Sequence, residues 1–130
     1  MSATPRAPLT VLAIDDEAGI RHLIQSVLEP EFKVFLAANG QDGLEQTQAV
    51  KPHLILLDLR MPQLDGLAVL AKLKANPETN AIPVIIVSAK GDTDSLIEGQ
   101  RAGAIDHLIK PISIDNLRAV VRRRIMFDTR

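Results

Sequence analysis

Short, unbroken apolar runs alternate along the chain with stretches in which apolar residues recur every three or four positions. Val11 to Ile14, Leu54 to Leu57 and Val84 to Val87 are continuous and mostly β-branched or leucine. Such runs, lacking the apolar-polar alternation of a half-exposed sheet, predict central strands covered on both faces. Lys33 to Ala37 and His107 to Ile109 are shorter or more polar and predict edge strands. Between the first two strands, Ile20, Leu23, Ile24, Val27 and Leu28 fall on one helical face, and Pro30 closes that helix. Asn39 is a natural N-cap for a weaker helix from Gly40 to Ala49. Gly66 to Ala75 carries Leu67, Leu70, Ala71 and Leu73 before Asn76-Pro77 stops it. A fourth helix runs from about Thr93 to Ala102 and ends at Gly103, a residue suited to a left-handed stop. Ser113 can cap the last helix, in which Ile114, Leu117, Val121 and Ile125 are expected to face inward.

Strand followed by helix, five times over, predicts an α/β fold: a doubly wound five-stranded parallel sheet with five helices. Each right-handed crossover needs a covering helix, so both faces of the sheet are clothed. The natural strand order is 2-1-3-4-5, in the flavodoxin-like manner. Ligands then bind beyond the carboxyl ends of the strands, where the winding reverses between the first and third. The domain is expected over residues 9–127, with tails at 1–8 and 128–130.

Composition narrows what such a sheet can do. A chain of 130 residues suits one domain, and 46% hydrophobic with 24% charged residues fits a soluble globular protein rather than a disordered or membrane one. Residues 1–8 resemble neither a signal peptide nor an anchor, and a cytoplasmic location is expected. The net charge of −1 provides no field that would draw nucleic acid or anionic lipid, so neither a direct nucleic-acid partner nor a membrane is expected. Absence of cysteine excludes disulfides, thiolate metal sites and cysteine nucleophiles. With no Tyr, no Trp and only three Phe, there is no stacking platform for bases or flavins.

The charges that matter are local. Asp15 and Asp16 stand at the carboxyl end of the first strand, Asp58 at that of the third, Ser88-Ala89 at the fourth and Lys110-Pro111 at the fifth. Three neighbouring carboxylates cannot all stay ionised without cations, because each raises the pKa of the others. Lys110 supplies one positive charge, and an all-oxygen site with few protein ligands suits Mg²⁺, or Mn²⁺ as the alternative ion. Carboxylate, metal, lysine and hydroxyl together make a phosphoryl site in which one Asp attacks.

At these residues the sequence resembles the receiver domain of two-component response regulators, the CheY-like superfamily, over about Leu9 to Ile125. The matching landmarks are Ile14-Asp15-Asp16-Glu17, Asn39-Gly40, Leu56-Leu57-Asp58, Met61-Pro62, Asp65-Gly66, Ser88-Ala89, Gly103-Ala104 and Lys110-Pro111. The resemblance implies phosphoryl transfer to Asp58 from the phosphohistidine of a sensor histidine kinase or phosphotransfer protein. It implies a metal held by Asp15, Asp16, Asp58 and the backbone carbonyl of Arg60, directly or through water, and a cis Lys110–Pro111 peptide. Catalysis would extend only to the module's own phosphorylation and dephosphorylation. Ser88 is expected to move towards the phosphoryl group, and the residue three before the lysine to turn inward. That residue is His107 where the family usually has Tyr or Phe. A histidine there can pack, can titrate near neutrality, or can be an edge-strand residue with no switching role. The output would pass to a downstream protein or effector domain, or to a homodimer, through the fourth helix, fifth strand and fifth helix. The chain would be a single-domain regulator or the receiver of a larger protein.

Arg60 and Lys90, two residues after Asp58 and Ser88, are expected to flank the phosphoryl group and steer anionic donors; the competing reading is two solvated cations. His22 and His53 read as surface residues, and Arg122-Arg123-Arg124 as a solvated face near a helix end rather than a nucleic-acid patch. An aspartate-nucleophile phosphohydrolase is the enzyme alternative. It needs a second Asp two residues after the nucleophile, where Arg60 stands. A flavodoxin-like electron carrier would find its phosphate repelled by Asp15-Asp16.

Overall fold

The computed structural model describes residues 8–127; the expected tails lie outside them but for Pro8. Five strands and five helices alternate: β1 (Thr10–Ile14), α1 (Ala18–Leu28), β2 (Lys33–Ala37), α2 (Gly40–Val50), β3 (Leu54–Asp58), α3 (Gly66–Ala75), β4 (Val84–Ala89), α4 (Thr93–Arg101), β5 (Asp106–Lys110) and α5 (Ile114–Phe127). The sheet is parallel in the order β2-β1-β3-β4-β5, so β2 and β5 are the edges the polarity of their sequences predicts.

Alternation along the central strands divides the core in two. Val11 and Ala13 of β1, with Leu54 and Leu56 of β3, pack against Ile24 and Leu28 of α1 and Leu117, Val121 and Ile125 of α5. Leu12 and Ile14, with Ile55 and Leu57, pack on the other face against Val69, Leu70 and Leu73 of α3. Every residue of β3 is buried, which is why its sequence shows no polar alternation.

Local signals act where expected. Asn39 accepts a hydrogen bond from the Asp42 amide (2.8 Å) and Ser113 from that of Asn116 (3.2 Å); α3 has a further cap not among those expected, Asp65, which accepts from the Ala68 amide (3.0 Å). Gly103 follows α4 at φ +116°, a conformation open to glycine and strained for other residues. One expectation fails: Ile114 is 48% exposed, because it opens α5 ahead of the turn in which Leu117 first meets the sheet. Four strands run beyond their apolar stretches: β1 takes in Thr10, β3 takes in Asp58, β4 takes in Ser88 and Ala89, and β5 takes in Asp106 and Lys110. Polar residues ended the apolar runs, but the backbone ladder continues, pairing Asp58 with Val87 and Ala89 with Lys110. Among the described residues no helix is long and apolar enough to cross a membrane.

Candidate functional site

Parallel strands deliver their last residues to one rim of the sheet, and there the charged residues gather. Asp15 follows β1 and is 2% exposed; Asp58 ends β3, also 2% exposed. Lys110, the last residue of β5, reaches over both: its Nζ lies 3.3 Å from Asp15 Oδ2 and 3.5 Å from Asp58 Oδ2. The Lys110–Pro111 peptide is cis. Ser88 is buried one residue beyond Val87, the β4 partner of Asp58.

Each carboxylate has one oxygen anchored and one free of hydrogen bonds. Asp15 Oδ1 accepts from the Glu17 amide (2.9 Å), and Asp58 Oδ1 from the Arg60 amide (3.2 Å). Asp15 Oδ2, Asp58 Oδ2 and Ser88 Oγ are buried without a hydrogen-bond partner, although Lys110 stands within ion-pair distance of both carboxylates. Buried polar atoms are nearly always satisfied, so a hydroxyl with no partner and two carboxylate oxygens held only by Lys110, at one rim of the sheet, mark a place built to receive something.

Electrostatics agrees. Burial, then the neighbouring Asp15 charge, pushes the Asp58 carboxyl from 3.8 up to about 7, against the pull of Lys110 and the Arg60 amide. Asp15 is also raised, chiefly by burial. Burial works against the Lys110 charge, but the Glu17 hydrogen bond and the Asp15 and Asp58 carboxylates outweigh it and hold its pKa above the ordinary lysine value.

The donor set fits a hard divalent cation. Asp15, Asp16 and Glu17 each offer an oxygen, all within 4.8 Å of one another; Asp58 is not in that group, but its Oδ2 shares the Lys110 ammonium with Asp15. Oxygen-only ligation by carboxylates, with two members of the cluster exposed to water, is the chemistry of Mg²⁺ sites.

Three residues outside the expected set belong to this rim. Glu17 holds Lys110 through Oε1 at 2.9 Å. Arg21 donates from Nη1 to the Asp15 carbonyl (2.7 Å). Asp92, just before α4, grips Arg60: Nε donates to Oδ2 at 2.8 Å and Nη2 to Oδ1 at 3.0 Å. Glu17 and Arg21 sit one and five residues after Asp16, so proximity in the chain offered a signal; Asp92 offered none.

The structure therefore brings together Asp15, Asp58 and Lys110, sets Asp16 beside them and buries Ser88 nearby. The Arg60 guanidinium is committed to Asp92, and Lys90 is exposed beyond β4. His107 is half-buried, the second residue of β5, with its amide bonded to Asp106 Oδ1. His22 and His53 are exposed; His53 Nδ1 lies 3.0 Å from the Thr10 amide that donates to it. The three consecutive arginines are occupied by acids: Arg122 by Glu31, Arg123 and Arg124 both by Asp106.

The family model described as the response regulator receiver domain matches residues 11–122. Response regulator Rre1 of Synechocystis is 38% identical over 117 residues, covering 88% of this chain and 51% of that protein, so the chain spans about half its length. Sporulation initiation phosphotransferase F of Bacillus subtilis is 38% identical over 114 residues, covering 87% of this chain and 90% of that one. Among solved structures, the receiver domain of the Francisella response regulator 1452 superposes with a TM-score of 0.83 at 32% identity, over 93% of this chain and 99% of its own.

Proposed function

Because the chain belongs to the response regulator receiver domain family of two-component signalling, we propose that Asp58 is its phosphoacceptor, within a receiver unit spanning residues 9–127. Receiver domains pair with histidine kinases and downstream effectors and bind Mg²⁺ at a cluster of acidic residues. The observation that carries the proposal is the state of the Asp58 carboxylate, buried at a strand end with Oδ1 anchored by the Arg60 amide and Oδ2 unpartnered opposite Lys110.

Within Asp58 that asymmetry selects the attacking oxygen. Oδ2 attacks the phosphorus of a kinase phosphohistidine; an O–P bond forms, the P–N bond breaks, and the imidazole nitrogen keeps the electron pair and takes up a proton. The ionised carboxylate is required, and Lys110 favours it. Lys110 then faces one phosphoryl oxygen, and the unpartnered Ser88 hydroxyl turns to donate to another. Asp15, Asp16, Asp58 and the Arg60 carbonyl would hold the Mg²⁺, or Mn²⁺, which when bound neutralises the carboxylates and the incoming phosphoryl oxygens.

Phosphorylation exchanges a single negative charge for nearly two and adds acceptor oxygens. His107 is the candidate to fill the space that Ser88 leaves, and α4, β5 and α5 the surface that reads the change. Ile97, Ile105, Ile109 and Ile114 are exposed on or beside these elements, apolar side chains available to a downstream protein or a second copy of the chain.

Incubation with acetyl phosphate and Mg²⁺ is expected to add a single phosphoryl group by intact mass, and none once EDTA removes the metal. No adduct, or one that forms equally well in EDTA, would refute the assignment.

A further inference from the structure

Arg60 belongs to two structures at once. Its amide is bonded to the Asp58 carboxylate, so its side chain starts beside the phosphoacceptor. Its guanidinium turns away to the bidentate pair with Asp92. Asp92 in turn is the N-cap residue of α4, yet its side chain makes no capping hydrogen bond. An aspartate at that position ordinarily accepts from the amides of the first helical turn. Here Arg60 takes both carboxylate oxygens and the Ser95 side chain also hydrogen-bonds the carboxylate, so the helix amides receive no cap from it.

Helix α4 is also lightly held. Gly99 is its only buried residue, and Ser95 of α4 lines a cleft of about 530 Å³ together with Arg60 and its neighbours Leu59, Met61 and Pro62. The Arg60 side chain is 71% exposed and that of Asp92 9%, so the pair is open to water on its cationic side, where a stronger anion can compete for the guanidinium.

We propose that Arg60 and Asp92 form a latch of two alternative states: in the resting protein Arg60 pairs with Asp92 and α4 is uncapped. In the second state Arg60 pairs with a phosphoryl group on Asp58, and the released Asp92 caps α4. All charges are satisfied in both, which makes the exchange a switch rather than a loss of contacts. Asp92 is thus a positioning residue, acting on the phosphoryl site through Arg60. The second state rests on Asp58 being the phosphoacceptor; the resting state does not.

Two measurements test it. The first follows uptake of the phosphoryl group from acetyl phosphate by intact mass. Asp92→Asn frees Arg60 to attract the anionic donor and is expected to speed uptake roughly 2- to 5-fold, less so at high salt. The gain should vanish in an Arg60→Ala background, since the two residues act as a unit. An unchanged rate, or an equal gain without Arg60, overturns the latch while leaving Asp58 as the acceptor. The second measurement uses unphosphorylated protein. In Arg60→Ala the Asp94 and Ser95 amides should shift and gain protection in NMR spectra as Asp92 caps α4; Arg60→Ala with Asp92→Ala should show neither. Identical first-turn amides in wild type and Arg60→Ala would overturn the latch even if no phosphoryl group were ever taken up.

Discussion

Asp58→Asn is expected to lose phosphoryl uptake entirely and yet to fold more stably than wild type at neutral pH without divalent ions. The first effect follows from the nucleophile: an amide has no ionised oxygen to attack phosphorus. The second follows from burial. In the unfolded chain Asp58 ionises near 3.8, whereas in the folded protein burial and Asp15 hold it protonated up to about 7. Below the lower value both states are protonated and the group is neutral in its effect. As pH rises from about 4 to about 7 the unfolded state ionises first, so the folded state loses stability across that window and the loss is complete above it. At about 1.4 kcal/mol per pKa unit, the cost reaches about 4 kcal/mol as an upper bound. An Asn amide lacking partners takes back roughly 1–2 kcal/mol, leaving a net gain of about 2 kcal/mol. Thermal melts in EDTA should therefore show the variant roughly 4–8 °C above wild type at pH 8 and a few degrees below it at pH 4, where only the cost of the amide remains. Mg²⁺ should close the gap by stabilising the wild type. A variant less stable than wild type at pH 8, or a gap that ignores pH, would contradict this origin of the effect.

Gly66→Ala should be the most damaging single-methyl addition near the site. Gly66 opens α3 and donates its amide to the Leu59 carbonyl at 3.0 Å, bringing the helix start hard against the end of β3. A Cβ there would overlap the Asp58 carbonyl oxygen and lie 2.6 Å from Leu59 Cα, both backbone atoms of the buried strand end. Alanine is the better helix former by about 1 kcal/mol, but the collision forces backbone apart and costs about 3 kcal/mol or more. A melting temperature lower by roughly 10 °C is expected, together with slower phosphoryl uptake as the Asp58 backbone shifts. Gly19→Ala, where nothing lies within 4 Å, is the matched control and should be neutral or slightly stabilising. Equal melting temperatures for the two variants would show that the α3 start yields without cost.

Much of this was legible in the chain because burial leaves a periodic trace. Strands covered on both faces read as unbroken apolar runs, and the caps Asn39 and Ser113 act within three residues of where they stand. The rim acids were legible because parallel strands that end together bring residues distant in sequence to one edge. Partners across the surface left no such trace. Nothing in the sequence matches Arg60 to Asp92, 32 residues on, or Arg122 to Glu31, 91 residues back. The arginine run reads as a free basic stretch until the fold supplies an acid to each. Ile114 was misplaced because helical periodicity fixes a face but not the turn at which that face first meets the sheet.

The central claim is that one carboxylate oxygen, on Asp58, takes the phosphoryl group. Borohydride reduction of the acyl phosphate, followed by peptide mapping, reads the modified residue directly by converting it to the corresponding alcohol. Reduction confined to position 58 is the expected result. Reduction at Asp15 or Asp16, or an adduct that resists borohydride because it sits on a histidine or serine, would contradict it.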